Sequence, residues 1–385
     1  MSPLWSFFWH VFPSLFLVGI GFYLWRRVVV ATQYYAPQKS RRLVYAVAPG
    51  ILLLVAGATF AWNGVFSFIA LLHLTFFLVV FATARRVLRR KGGDKGNATF
   101  WDLVDRGGVG AIVLTAAVFS YGYVNIRHIV RTEYSVDATV PLRSEGYKIV
   151  FLSDLHYGMA TNAASLRRLV ERLDAEDADL VILGGDIVDE GTTFEEMREA
   201  FSILGKTKNR LGIYYVYGNH DRSPYVRSPN FTEKDVQTAL SESEIRALVD
   251  ETRVVDGALT LVGREDAGRS RQSLAELTRK TSASTARILV DHQPVDYDQA
   301  SRDGYALILS GHTHAGQIFP FGLVTGITHH SSLNYGLRKI GNGATAIVSS
   351  GVSGWGMPIR TSKHSEYVVV RLSGSSGELR KKDKP

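Results

Sequence analysis

The chain divides by the rhythm of its apolar positions. Four long apolar stretches fill roughly residues 5–25, 43–62, 66–84 and 108–126, and each is near the ~20 residues that a bilayer core requires. The first, WSFFWHVFPSLFLVGIGFYLW, has no charge before Phe8, and Arg26 and Arg27 follow it. A secretory signal would place its positive charges ahead of a shorter apolar core, so this stretch reads as a retained anchor. From about Ile149 the rhythm shortens. The runs KIVFLSD, DLVILGGD, GIYYVYGN, ALTLVG, ARILVDH, YALILSGH, TAIVSSG and EYVVVRL read as strands. Between the first two, Leu166, Leu169, Val170 and Leu173 recur at helical spacing, with Thr161 or Asn162 placed to cap that helix. Alternating strands and helices predict an α/β domain built from βαβ units. Residues 222–250 read as a mostly helical insertion, and the tail from Ser373 as disordered.

Charge is distributed as unevenly as hydrophobicity. Residues 1–130 hold thirteen Lys and Arg against three Asp and Glu, while the remainder holds 31 against 33. The basic excess therefore belongs to the membrane-proximal part, where it would meet lipid headgroups and set topology. A nucleic-acid partner would want that excess on the globular part, and none is expected. The first connection carries Arg26, Arg27, Lys39, Arg41 and Arg42. The third carries Arg85, Arg86, Arg89, Arg90, Lys91, Lys95 and Arg106, and the second, 62–65, carries no charge. Basic loops stay in the cytoplasm, so both termini are expected outside, in a multi-pass membrane protein. The chain has no cysteine, which excludes disulfides, thiolate metal sites and cysteine nucleophiles.

Ligand-type residues recur just after the apolar strands: Asp154 and His156 in SDLH, Asp186 and Asp189 in GGDIVD, Asn219, His220 and Asp221 in GNHD, His292 in DHQP, His312 and His314 in GHTH. In open α/β sheets the functional crevice lies at the carboxyl ends of the strands. One Asp after a strand is ordinarily a cap or turn former, but five such groups in this order point to one cleft. Mixed Asp, His and Asn ligation suits two borderline divalent ions such as Mn, Fe or Zn, and a shared carboxylate between them would make a two-metal hydrolytic site.

With these blocks in view, the stretch from about 147 to 372 resembles the calcineurin-like metallophosphoesterase family, whose motifs are D-x-H, G-D-x-x-D, G-N-H-[DE], H and G-H-x-H. GHTHAGQ, the YGL at 335–337, SSGVSGWGMPIR and Glu366 resemble the bacterial branch with N-terminal membrane helices. The resemblance implies a four-layer α-β-β-α sandwich, here preceded by a bundle of about four transmembrane helices. It organises the chain as a helical region over 1–130, a catalytic domain over 147–372 and a tail over 373–385. It implies that Asp154, His156 and His314 hold one metal, Asn219, His292 and His312 the other, and that Asp186 bridges them. A metal-bridging hydroxide would attack phosphorus, His220 would serve the leaving oxygen, Asp221 would orient His220, and Asp189 would stand behind the ligands. Some members of that branch resemble pyrophosphatases of lipid precursors.

Outside the motifs, Arg264, Arg269 and Arg360 are candidates for phosphate contact, His329 and His330 for substrate contact, and Trp355 and Met357 for an acyl chain. The expected function is hydrolysis of a phosphoester or pyrophosphate in a lipid-linked substrate at the bilayer. Alternatives are a phosphoesterase acting on a soluble nucleotide or phosphodiester, and a non-catalytic membrane sensor or scaffold. The pattern does not decide the oligomeric state.

Overall fold

The computed structural model describes residues 3–37, 41–90, 98–138, 140–319, 333–341 and 343–374. The chain separates into two units, Met1–Ser120 and Tyr121–Pro385.

The first unit is helical. Helix α1 (Pro3–Tyr35) is followed by α2 (Arg41–Arg90), the short α3 (Ala98–Trp101), a π-turn over Asp102–Arg106, and α4 (Val109–Asn125), which continues into the second unit. Residues 62–65, expected as a connection, lie inside α2, a single helix of 50 residues. Asn63 and Gly64 bring no proline there, and one glycine costs a helix only about 1 kcal/mol. The expected four spans therefore do not appear as four. Among the described residues one helix, Phe66–Arg90, is long and apolar enough to cross a membrane; Thr99–Arg106 and Val109–Asn125, bent by 59°, qualify together as a second. Leu24, Leu78 and Ala111 form this unit's core. Arg27 Nη2 donates to Asp105 Oδ1 at 2.9 Å, and Arg85 pairs with Asp102 and Asp105.

The second unit is built on two six-stranded mixed sheets. Its strands are β1 (Ile129–Asp137), β2 (Tyr147–Leu152), β3 (Leu180–Leu183), β4 (Ile213–Tyr215), β5 (Ile245–Ala247), β6 (Glu251–Val255), β7 (Leu259–Gly263), β8 (Ala286–Val290), β9 (Tyr305–Ser310), β10 (Gly336–Ile340), β11 (Ala344–Val348) and β12 (Ser365–Ser373). One sheet has the order β1-β12-β2-β3-β4-β5, the other β10-β11-β9-β8-β7-β6. Strands β2 to β5 are parallel to one another, as are β7, β8, β9 and β11. The eight strands read from the sequence are β2, β3, β4, β7, β8, β9, β11 and β12. The others, β1, β5, β6 and β10, lie at sheet edges, where half-exposed strands lack a continuous apolar run.

Alternation along each central strand assigns its two faces. Ile149 and Phe151 of β2 and Ile182 of β3 meet Leu261, Ile288 and Leu309 between the sheets. Val150, Leu152, Val181 and Leu183 point the other way, against α5 (Ala163–Asp174), α6 (Phe194–Leu204) and α7 (Glu233–Glu242). Leu289 and Ile308 face α8 (Leu274–Arg279) and α9 (Tyr297–Arg302) on the far side. The layers thus run helix, sheet, sheet, helix. Asn162 caps α5 in a capping box with Ser165. The segment expected as a helical insertion is instead the β4-α7-β5 crossover: α7 is its one helix, and β5 joins β4 in parallel. Parallel strands need a crossover of about a dozen or more residues, and the ten-residue α7 forms the centre of this one.

Candidate metal centre

Every ligand-type group from the sequence leaves the carboxyl end of a strand: Asp154 and His156 after β2, Asp186 after β3, Asn219 and His220 after β4, His292 after β8, His312 and His314 after β9. Facing sheets direct these ends to one place. The backbone there is forced into the left-handed region, with φ of 54° at Asp154, 40° at His156, 53° at Asp186, 71° at His312 and 50° at His314. Non-glycine residues adopt that conformation at a cost, and such strain gathers at functional sites. Two glycines make the approach possible. A Cβ on Gly218 would stand 2.1 Å from Asp186 Oδ1, and one on Gly311 would stand 2.3 Å from Asp154 Oδ2.

The side chains form two groups whose donor atoms converge: Asp154, His156 and His314 in one, Asp186, His292 and His312 in the other. Asp186 reaches both. Its Oδ2 is 3.1 Å from His292 Nε2 and 3.8 Å from His156 Nε2. Both ring nitrogens are buried and make no hydrogen bond. Unsatisfied buried nitrogens are costly, and here they point at a shared carboxylate, the arrangement that a pair of cations would satisfy. The opposite ring nitrogens are held: His156 Nδ1 lies 3.1 Å from Asp189 Oδ2, and His292 Nδ1 donates to the Gly184 carbonyl at 2.7 Å. Such outer contacts orient a ligating imidazole and select its tautomer. Asn219 lies beside the second group, its Oδ1 accepting from His312 Nδ1 at 2.8 Å.

Electrostatics are consistent with a site short of positive charge. Burial pulls His292 down, but the adjacent Asp186 carboxylate outweighs it and pushes the ring up to about 10. Burial likewise opposes His156, yet Asp189, Asp186 and Asp154 leave it raised. His312 is lowered to about 4 by burial and by neighbouring His292. His314 is lowered by burial, with His156 and Arg360 adding to the effect. One ring in each group attracts a proton toward the carboxylates, at the position a divalent ion would take. The donor set of carboxylate, imidazole and amide oxygens fits borderline divalent metals.

His220 and Asp221 play separate parts. The His220 ring is held by Glu190, whose Oε2 is 2.9 Å from Nδ1, and its backbone N–H donates to Asp186 Oδ1 at 2.8 Å. A proton on Nδ1 leaves Nε2 for chemistry. Asp221, expected to orient that ring, is instead fully buried beneath the loops. Its carboxylate accepts the backbone N–H groups of Asp186, Ile187, Val188 and Gly218. Burial and the charge of Asp186 push it up to about 6 despite those four bonds. It pins the two ligand-bearing loops to each other.

A family model described as calcineurin-like phosphoesterase matches residues 147–316. Over these residues the chain is similar to the calcineurin-like phosphoesterases. An uncharacterized metallophosphoesterase of Campylobacter jejuni is 29% identical over 259 residues, covering 66% of each chain. One from Helicobacter pylori strain J99 is 32% identical over 232 residues, 58% of this chain and 59% of that protein. The chain thus spans less than two thirds of the length of these two relatives. A Danio rerio transmembrane protein with metallophosphoesterase domain is 29% identical over 400 residues, 93% of this chain and 87% of that protein.

The remaining candidates in the second unit mostly resolve as scaffold. Arg264 is buried and paired with Asp291 at 3.0 Å and Asp296 at 2.8 Å. Arg269 is exposed, 3.7 Å from Glu233. Arg360, fully buried, donates to the carbonyls of His314, Ser350 and Ser353 and so clamps the GHTH loop to the SSGVS loop. Glu366 is buried and braces the same loop, accepting from Ser350 N at 2.9 Å and Tyr335 Oη at 3.2 Å. Met357 is buried, whereas Trp355 is exposed with its ring 5.2 Å from that of His220. His329 and His330 lie outside the described residues. Glu190 escaped sequence reasoning; it directly follows Asp189, and a carboxylate at that place carries no spacing signal of its own.

Proposed function

We propose that this chain is a membrane-anchored, two-metal hydrolase that cleaves a phosphoester or pyrophosphate bond in a lipid-linked substrate. One observation carries the reading: Asp186 Oδ2 faces unsatisfied ring nitrogens from both ligand groups. Asp154, His156 and His314 would hold one ion and Asn219, His292 and His312 the other, with Asp186 between them. Divalent ions of the Mn, Fe or Zn kind supply Lewis acidity toward phosphoryl oxygens and lower the pKa of water. The chain's own residues do the rest. Asp189 and the Gly184 carbonyl aim two imidazoles. Asp221 keeps the loops in register, and Glu190 presents His220 Nε2 to a departing oxygen, as proton donor or charge stabiliser.

The apolar helices support the lipid-linked class, because tethering raises the effective concentration of a substrate confined to the bilayer. In this reading the protein is multi-pass in a bacterial inner membrane with its domain outside. The seven Lys and Arg within residues 85–106 support that placement, since basic loops stay in the cytoplasm. Purified full-length protein, assayed with added Mn against lipid phosphodiesters, lipid pyrophosphates and nucleotides, tests the activity. Turnover confined to nucleotides would replace the substrate class, and no turnover with any of them would leave a sensor or scaffold. A single cysteine added to the domain tests its side. Labelling in intact cells by a reagent that cannot cross the inner membrane is expected, and labelling only after lysis would put the domain inside.

A further inference from the structure

The last turn of α4 is joined to the rim of the metal centre by a continuous set of hydrogen bonds. The Gly122 carbonyl accepts from Arg360 N at 2.9 Å, and a Cβ on Gly122 would lie 2.9 Å from Thr361 Cγ2, so the contact needs glycine. Asn125 Nδ2 donates to the carbonyls of Arg360 at 3.0 Å and Lys363 at 3.2 Å. Arg127 reaches the Pro358 carbonyl at 3.4 Å and lies over the Tyr123 ring at 3.6 Å. From the site side, Gln317, three residues past His314, donates to the carbonyls of Trp355, Met357 and Ile359 and accepts from Trp355 N. Phe319 N donates to Thr361 Oγ1 at 3.0 Å. Residues 355–363 are therefore held at the level of the end of α4.

That level is apolar and aromatic on its outside. Tyr121, Tyr123, Val124, Phe319 and Trp355 are all exposed, and Arg127 and Lys363 are exposed beside them. Aromatic rings with adjacent basic groups at the end of an apolar helix are the composition of a membrane–water interface. Water alone gives no reason to expose these rings together. Continuity with α4, which with its bent neighbour is apolar enough to cross a bilayer, identifies the occupant.

We propose that this rim docks into the interfacial layer of a bilayer that contains anionic lipids, with Trp355 and Phe319 entering it. The metal centre then opens onto the headgroup plane, and a phosphate is delivered to His220 from the membrane rather than from bulk water. The proposal rests on the anchored-enzyme reading but is read out without turnover. The chain has no cysteine, so Phe319→Cys, Trp355→Cys and the control Ser202→Cys, exposed on α6, each offer one labelling site in the full chain. Each is labelled with an environment-sensitive fluorophore and placed in nanodiscs of phosphatidylcholine and phosphatidylglycerol, with or without brominated acyl chains. Brominated lipid should quench the probes at 319 and 355 and leave the probe at 202 unchanged. Equal quenching at all three sites, or none at 319 and 355, would overturn the proposal. Metal content near that of the parent chain verifies each fold. In a second arm, Phe319→Ser should lower turnover of a bilayer-embedded phosphodiester about tenfold, the scale of withdrawing one aromatic anchor, and leave soluble bis(p-nitrophenyl) phosphate untouched. An equal loss on both substrates counts against interfacial delivery. Quenching without any lipid hydrolysis retains the docking surface and discards the lipid-linked substrate class.

Discussion

The two ligand groups of the metal centre are alike in composition and unlike in support. Each has one Asp and two His. In the first, His156 is backed by a carboxylate, Asp189. In the second, His292 is backed by a neutral oxygen, the Gly184 carbonyl. A carboxylate behind an imidazole raises its basicity more than a neutral acceptor does. The first group would therefore hold an ion more firmly, and the second would leave an ion the stronger Lewis acid toward substrate. Asp186, counted in the second, also faces the first through His156.

Breaking the link between the groups should have the largest effect. Asp186→Asn should abolish hydrolysis and lower metal content in elemental analysis, and normal turnover with two bound ions would refute the bridge. His220→Ala comes next, because it takes away proton transfer without touching either group. A loss of roughly 10²–10⁴ in kcat is expected, with metal stoichiometry near that of the parent; loss of both ions would make His220 a ligand instead. Asp189→Asn sharpens the asymmetry itself. It should weaken one ion by about 10–100-fold, the usual worth of an outer partner, and leave the other near normal in a metal titration. Equal weakening of both ions would remove the distinction drawn here. The smallest effect is expected from Glu190→Gln, which keeps a hydrogen bond to His220 and removes the charge. A drop of about tenfold in kcat with little change in KM is expected for alkyl leaving groups, and much less for nitrophenol, which departs without a proton. An equal drop for both leaving groups would assign Glu190 a structural part only.

How much was legible in the sequence differs between these parts for a physical reason. The central strands announce themselves, because burial on both faces demands continuous apolar runs such as LVIL and YALILS. The edge strands β1, β5, β6 and β10 do not, since their half-solvated residues carry no such demand. The two converging groups were readable because chemistry restricts which residue types can bind metal, and because each candidate sits at a strand's carboxyl end. Spans were misjudged at 62–65, where an apolar helix runs on through Asn63 and Gly64.

By itself, then, the sequence determined the strand cores, the order of the motifs and the chemistry of the donor atoms, all of which are local properties of short segments. Only the tertiary structure decided how those atoms are shared. It placed Asp186 Oδ2 between two groups, gave His220 to Glu190, and turned Asp221 onto four backbone N–H groups. It also converted Arg264 and Arg360 from phosphate candidates into internal clamps. Each of these is a pairing between residues distant in the chain, set by where two facing sheets bring their loops together.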